Sequence, residues 1–123
     1  MVNAPQRGTI YEVNFNPARG SEQAGIGPAL IIQNDAGNSS SSTTIVAAIT
    51  SSIHGRIYPF EVLLGKGELP KRSMVKCDQI MTVSKERLGK LMGVVPDDVM
   101  DEVDEALKHS LGLRRLSVLP PAD

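Results

Sequence analysis

The chain has 123 residues, of which 41% are hydrophobic and 22% are charged. This length and balance are typical of one folded domain, and they exclude a disordered chain or two independent domains of ordinary size. We therefore treat residues 1–123 as a single domain, whose ends at about 1–6 and 116–123 are expected to be mobile.

The sequence contains no apolar stretch near the roughly 20 residues that a membrane-spanning helix requires. The opening MVNAPQRG also lacks the apolar segment of a signal peptide. A cytoplasmic protein with no membrane partner is the expectation. Cys77 is the only cysteine, which excludes an intrachain disulfide and a cysteine metal cluster, so a buried structural thiol is expected.

The net charge of −1 conceals an uneven distribution along the chain. Residues 54–90 carry eight Lys/Arg against four Asp/Glu, whereas residues 91–123 carry three against seven. A polyanion would therefore be attracted to the middle segment and not to the molecule as a whole. An ordinary solvated surface explains the same charges equally well.

The first predicted element is a strand over residues 7–15, where Tyr11, Val13 and Phe15 alternate with polar residues. Residues 16–27 are rich in Gly, Pro, Ser and Ala without periodicity, which predicts an irregular loop.

Four further strands and turns are expected in the middle of the chain. The apolar runs 29–33 and 43–50 predict strands buried on both faces, and the NDAGNSSSS between them predicts a turn. Residues 58–64 and 73–83 predict two more strands, with Pro59 at a strand start or edge. Short strands joined by tight turns favour a small antiparallel barrel.

Two helices complete the prediction. Residues 84–91 are expected to form a short helix capped by Ser84. Residues 96–111 give the strongest helical pattern, with acidic residues at its start and basic residues near its end. Its predicted apolar face consists of Met100, Val103, Ala106, Leu107 and Leu111.

Few residues are arranged for metal or nucleophilic chemistry. The chain has no P-loop or HExxH motif, and its two histidines, His54 and His109, are distant in sequence and are each expected on the surface. No metal or other cofactor is predicted. Polar side chains do cluster near loop ends, and such groups can either read unpaired bases or make turns. They are Ser21, Glu22, Gln23, Asn34, Asp35, Asn38 and Thr50.

Six segments occur in an order that resembles the MazF/PemK family of toxins. They are RGTIYEVNF, GSEQAG.GP, LIIQND.GN, TTIVAAIT, QI.TV.K.RL and DEVDEAL, and they span residues 7 to about 111. The resemblance implies a mainly β fold with α, in which a small SH3-like antiparallel barrel carries a packed C-terminal helix. It also implies a homodimer that binds single-stranded RNA and is inhibited by a MazE-like antitoxin.

The resemblance implies a chemistry as well. Family members cut RNA without a metal by attack of a ribose 2′-hydroxyl, which leaves a 2′,3′-cyclic phosphate and a 5′-hydroxyl. Thr50 matches the family threonine that hydrogen-bonds the phosphate, but Gly27 stands where the family has a catalytic arginine. The RNA-binding residues implied by the motifs are Ser21, Glu22, Gln23, Asn34, Asn38 and Gln79.

Glycine offers no donor to the charge that develops on the phosphate, so cleavage is expected to be weak or absent. Gly27 is then an inactivating change, engineered or selected, or the mark of a natural relic. Arg19 or Arg56 reaching into the vacant space is a further alternative.

The leading hypothesis is an endoribonuclease toxin, and the second is a module that binds RNA or antitoxin without cutting. A gyrase poison on the related CcdB barrel is disfavoured because members of that group use a C-terminal tryptophan segment and this chain has no tryptophan.

Overall fold

A computed structural model describes residues 4–16, 25–65 and 67–114 of the chain. Six strands form one antiparallel sheet in the spatial order β4-β5-β3-β2-β1-β6. The strands are β1 (Thr9–Asn14), β2 (Ile26–Ile31), β3 (Thr43–Thr50), β4 (Glu61–Leu64), β5 (Ser73–Ser84) and β6 (Leu88–Val94), and the helices are α1 (Asp35–Ser40) and α2 (Asp97–Leu111). The predicted mainly β fold with a C-terminal helix is confirmed.

The sheet curves until its two edges approach each other. The carbonyl oxygen of Glu68, in the segment between β4 and β5, lies against Gly93 of β6 at the opposite edge. A Cβ atom at residue 93 would collide with that oxygen, so glycine permits the close approach.

The centre of the sheet is formed by β2 and β3, as their continuous apolar runs predict. Residues 29–31 and 46–49 are all buried, and Ala29 pairs with Ala48 in the antiparallel ladder. Strands covered on both faces need apolar side chains at every position, which explains the absence of alternation here.

Apolar side chains form a cluster on each face of the sheet. One cluster includes Ile10, Leu30 and Val75 and is covered by α2, whose Val99, Met100, Val103 and Ala106 are buried. The other packs Val13, Phe15, Ala29, Ile31, Val46, Val83 and Leu88 together. Burying each large apolar side chain contributes about 1.5 to 3 kcal/mol, so these clusters hold the curved sheet in shape.

The C-terminal helix matches its prediction except at its last turn. It starts after Pro96 and ends at Gly112, which takes the left-handed conformation (φ 67°) common at helix ends. Leu111, predicted on the apolar face, is 59% exposed. Leu111 is exposed because the last turn of the helix extends beyond the core cluster, whose last helical members are Ala106 and Leu107.

The predicted helix over 84–91 is wrong. Ser84 caps only a 3₁₀ turn (Lys85–Arg87), with its hydroxyl accepting from the amide of Glu86 at 3.3 Å. The chain then continues as β6, which pairs with β1. The backbone bonds that β1 offers at the sheet edge outweigh the local helical preference.

The predicted turn NDAGNSSSS is instead the short helix α1. Asn34 is its N-cap, and its side-chain oxygen accepts from the amide of Gly37 at 2.7 Å. The same residue types that favour turns also favour helix caps, which is why the pattern misled.

The 29–33 prediction is displaced from β2 (Ile26–Ile31), which begins inside the predicted loop 16–27, because its pairing with β1 extends the strand back to Ile26. The bounds of two later strands agree closely. The 43–50 prediction matches β3, and the 73–83 prediction falls one residue short of β5. Pro59 precedes the edge strand β4, as expected. Pro5 is buried, so this part of the N-terminal segment packs on the domain, while residues 1–3 and 115–123 lie outside the described residues. Cys77 is buried as expected, and burial, together with the neighbouring Asp78, raises the pKa of its thiol to about 11.

Candidate functional site

Thr50 lies between two surface cavities at one end of the sheet. The first, the Gly27 cavity, has a volume of about 460 Å³ and is lined by residues that include Gly27, Thr50 and Lys71. The second, the aromatic cavity, has a volume of about 340 Å³ and is lined by residues that include Thr50 and Tyr58. Thr50 is a lining residue of both, so a long ligand could occupy the two cavities while contacting it.

The end of β3 presents the Thr50 hydroxyl to these cavities. Thr50 is half-buried, and its backbone pairs with Met74 of β5. Its Oγ1 accepts a hydrogen bond from the amide of Ser52 at 3.1 Å. The hydroxyl proton therefore remains able to donate to a ligand oxygen.

Gly27 lies beside Thr50 because β2 and β3 run antiparallel. Ala29 pairs with Ala48, and two residues further toward the same end of the strands are Gly27 and Thr50. Gly27 pairs with Val13 on its other side and does not take a positive φ. Its φ is therefore compatible with residues other than glycine, and the position predicted for the missing arginine lines the same cavity as the threonine.

The aromatic cavity contains a stack of rings and cations. The rings of Tyr58 and Phe60 are parallel within 6°, with their centroids 5.5 Å apart. The guanidinium of Arg56 lies 5.0 Å from the Tyr58 centroid, and the ammonium of Lys76 lies 5.9 Å from that of Phe60. Aromatic rings combined with positive charge are the usual means of holding unpaired bases and their phosphates.

An ion pair fixes this stack to the sheet. Glu61 accepts a hydrogen bond from Lys76 Nζ at 2.8 Å and another from the backbone amide of Tyr58 at 2.9 Å. Burial raises the pKa of Glu61, but these two bonds and the nearby charges of Lys76 and His54 together outweigh burial, so the pKa is lowered overall. The hydrogen bond with Glu61 raises the pKa of Lys76. Both groups are therefore charged at neutral pH.

A bulge in β5 positions Gln79 in the same cavity. The partner of Ala47 is Ile80, whereas the partner of the next residue, Ala48, is Lys76. The intervening residues of β5 are displaced from the regular ladder, and such bulges redirect side chains. Gln79, predicted to bind RNA, lines the aromatic cavity together with Thr50.

The structure does not bring Asn34 and Asn38 to this site. Both follow the C-terminal end of β2, whereas Gly27 lies near its beginning. At about 3.3 Å per strand residue, the two ends of β2 are roughly 15 to 20 Å apart. Ser21, Glu22, Gln23 and Arg19 lie outside the described residues.

Asn38 is fully buried and its side chain is used within the protein. Its Oδ1 accepts from Thr44 Oγ1 at 2.7 Å and from Gln33 Nε2 at 3.0 Å, and its Nδ2 donates to the carbonyl of Gln33 at 3.0 Å. A side chain with 0% exposure and three internal hydrogen bonds presents no group to RNA. Asn38 thus stabilises the connection between β2 and β3 that contains α1, rather than facing RNA.

Sequence reasoning missed the aromatic stack and Lys71. The segment RIYPF does place two rings and a cation within five residues, and this local pattern could have indicated a stacking surface. Lys71 carried no such signal because its place in the same cavity as Gly27 depends on how the folded chain brings the two segments together.

The remaining candidate residues are peripheral. His109 is exposed on α2, as expected, and His54 is exposed at the edge of the aromatic cavity. Within residues 4–16, 25–65 and 67–114, no group of three or more His, Cys, Asp or Glu side chains is placed to hold a metal ion. In the same residues no helix is long and apolar enough to cross a membrane.

Comparison with known proteins agrees with this fold. Residues 6–111 match the family described as the PemK-like, MazF-like toxin of type II toxin-antitoxin system. The chain is 42% identical over 113 residues to Endoribonuclease MazF of Staphylococcus saprophyticus, covering 90% of this chain and 94% of that protein.

Solved structures give the same result. The crystal structure of MazF from Deinococcus radiodurans superposes with a TM-score of 0.80 and 31% identity, covering 91% of this chain and all of that one. An endoribonuclease from a mycobacterial species, solved in complex with its cognate antitoxin, gives a TM-score of 0.78 and 29% identity, with 91% and 99% covered.

The curved sheet and its helix, together with these matches, show that the chain belongs to the PemK/MazF family of type II toxins. Within that family it is a MazF-type endoribonuclease toxin of a toxin-antitoxin system.

Proposed function

We propose that the toxin binds single-stranded RNA along the two cavities that meet at Thr50, and that its reaction is sequence-specific cleavage without a metal. The observation that carries this proposal is the placement of Thr50 and Gly27 on the wall of one cavity, with the aromatic cavity on the other side of Thr50. If a phosphate of the RNA binds at Thr50, the nucleotides on one side of that phosphate would lie in the aromatic cavity, beside the Tyr58 ring. Because the proposed substrate is mRNA, we propose that the toxin acts in the cytoplasm.

The proposed reaction is attack of a ribose 2′-hydroxyl on the adjacent phosphorus. The P–O5′ bond breaks, the 2′-hydroxyl proton is lost, and the leaving oxygen gains a proton, which gives a 2′,3′-cyclic phosphate and a 5′-hydroxyl. Thr50 would donate its hydroxyl proton in a hydrogen bond to a non-bridging phosphate oxygen, where negative charge increases in the transition state.

Gly27 is expected to impair this reaction. The missing arginine would present a fork of donors to the developing charge, and glycine presents none. Loss of one such donor commonly lowers the rate by about 10²- to 10³-fold. Binding depends on many more contacts, so RNA affinity is expected to survive better than turnover.

We also propose that the toxin acts as a homodimer and is inhibited by a MazE-like antitoxin. The similarity to a mycobacterial endoribonuclease solved with its cognate antitoxin supports this partner. An acidic antitoxin segment would complement residues 54–90, which carry eight Lys/Arg against four Asp/Glu.

The test compares the present chain with Gly27→Arg on a mixed-sequence single-stranded RNA in EDTA. We expect Gly27→Arg to cleave about 10²- to 10³-fold faster, with sequenced ends that carry a cyclic phosphate and a 5′-hydroxyl. Ser39→Arg is the matched control, since it adds the same charge on the exposed face of α1, at the far end of β2.

Equal rates for the present chain and Gly27→Arg would contradict the proposed impairment. Absence of cleavage by a folded Gly27→Arg that still binds RNA would favour the alternative function, a module that binds RNA or antitoxin without cutting. Gly27 itself motivates this alternative.

The role of Thr50 is tested in the Gly27→Arg background. Thr50→Val removes the hydroxyl at nearly constant volume and is expected to slow cleavage by about 10²-fold, whereas Thr50→Ser should retain most activity. Thr82→Val, on the exposed side of β5, controls for loss of a threonine hydroxyl elsewhere.

A further inference from the structure

Half of the ten Lys and Arg side chains among the described residues already have an ion-pair or hydrogen-bond partner. Arg7 pairs with Asp104 at 2.7 Å, Lys76 with Glu61 at 2.8 Å and Lys108 with Glu105 at 3.5 Å. The side chains of Lys85 and Arg87 donate to backbone carbonyls. Five other described cations have no such bond to another described residue: Arg56, Lys71, Arg72, Lys90 and Arg114.

Two of these five line the cavities at Thr50. Arg56 lines the aromatic cavity, where its guanidinium lies over Tyr58. Lys71 lines the Gly27 cavity and, among the described residues, is the only cation that shares a cavity with both Gly27 and Thr50. Arg56 thus lies on the other side of Thr50, and Lys71 is the cation in the cavity where the arginine is missing.

The backbone of Lys71 is held firmly although its side chain is exposed. Its carbonyl accepts from Ser73 Oγ at 2.9 Å, and Ser73 is buried at the start of β5. Leu69, two residues before Lys71, packs against the apolar cluster that α2 covers. The Glu68 carbonyl lies against Gly93 on β6. These contacts fix where the flexible ammonium can reach.

We propose that Lys71 binds the RNA phosphate at Thr50, on the side of the Gly27 cavity. This inference rests on the proposed RNA function and deepens it. An ammonium supplies three donors and a full charge but no planar fork, so Lys71 can hold a phosphate without reproducing the bidentate contact of an arginine. The toxin therefore retains RNA at the scissile phosphate while its turnover stays low.

The experiment measures binding to a 2′-O-methyl oligonucleotide of mixed sequence, which cannot be cleaved, by fluorescence anisotropy over a range of salt concentrations. Lys71→Gln is expected to weaken binding about 5- to 10-fold on all sequences and to reduce the salt slope by about 0.7, the value for one phosphate contact on a single strand. Lys71→Arg should bind as the unaltered protein does.

Lys90→Gln is the matched control, because Lys90 is an exposed, unpaired lysine on β6 that lines neither cavity. Equal losses and equal slopes for Lys71→Gln and Lys90→Gln would overturn the inference and leave the proposed function intact. Failure of the unaltered protein to bind the oligonucleotide would overturn both. Circular dichroism melting curves establish that each variant is folded.

Discussion

Glu61 and Lys76 form a partly buried ion pair across the β4–β5 ladder, with Nζ 2.8 Å from Oε2 and only 5% of the Glu61 side chain exposed. The other carboxylate oxygen accepts the backbone amide of Tyr58. One carboxylate therefore links the sheet to the first ring of the aromatic cavity. Losing its charge would affect both stability and the position of that ring.

The first prediction concerns pH. The pKa of Glu61 lies below its ordinary value of 4.5 in the folded protein, and that of Lys76 lies above 10.5. The pair therefore stabilises the fold fully between these two values. Its contribution is lost as pH falls below 4.5 through the lowered pKa of Glu61, or rises above 10.5 through the raised pKa of Lys76.

Glu61→Gln should lower the free energy of unfolding at pH 7 by about 1 to 3 kcal/mol, because it leaves the Lys76 ammonium with only the more distant Asp78 carboxylate, at 3.9 Å. Urea unfolding at pH 7 and pH 3.5 measures this, and the difference between variant and parent should shrink at the lower pH. Glu105→Gln breaks the exposed pair with Lys108 and should change stability by less than about 0.5 kcal/mol. A pH-independent effect of Glu61→Gln would contradict the assignment.

The second prediction concerns the approach of the sheet edges at Gly93. Gly93→Ala places a Cβ against the backbone oxygen of Glu68, which cannot rotate away as a side chain would. We expect a loss of about 1 to 3 kcal/mol in the free energy of unfolding, typical of overpacking. Gly55→Ala, where no atom lies within 4 Å of the added Cβ, is the control. Equal effects of the two changes would argue against the close contact.

The third prediction separates stability from binding at Asn38. Asn38→Ala leaves Thr44 Oγ1 and the Gln33 amide without their buried partner, and should destabilise the protein by about 2 to 4 kcal/mol. At temperatures where the variant is folded, its affinity for single-stranded RNA should equal that of the parent. Weaker RNA binding by the folded variant would instead support the prediction that Asn38 contributes to RNA binding.

Asn38 also shows where sequence reasoning reaches its limit. The continuous apolar run 43–50 predicted the bounds of β3, and the charge and period of 96–111 predicted α2, because both signals are local. Whether a polar residue faces solvent or completes a buried network depends on residues brought together by folding. The sequence around Asn38 does not distinguish a solvent-exposed side chain from one in a buried hydrogen-bond network.

The same reasoning explains the error over 84–91. A capping serine and helix-forming residues are local facts, and they produced one 3₁₀ turn. The pairing of β6 with β1 joins residues more than 70 positions apart, which no local pattern reports. For the site, the motifs singled out Thr50 and Gly27, but their common cavity, Lys71 and the Tyr58 stack required the three-dimensional arrangement.

The fourth prediction tests the aromatic cavity as a base-stacking surface. Tyr58 is 43% exposed and is the ring most accessible to a ligand. Stacking of a base on an aromatic ring is worth about 1 to 3 kcal/mol, so Tyr58→Ala should weaken binding of a 2′-O-methyl oligonucleotide by about 5- to 150-fold. Tyr58→Phe keeps the ring and should bind nearly as well as the parent. Because stacking is apolar, Tyr58→Ala should leave the salt slope unchanged, in contrast to Lys71→Gln. A lowered slope with little loss of affinity would instead mean that Tyr58 acts only by positioning Arg56 for phosphate.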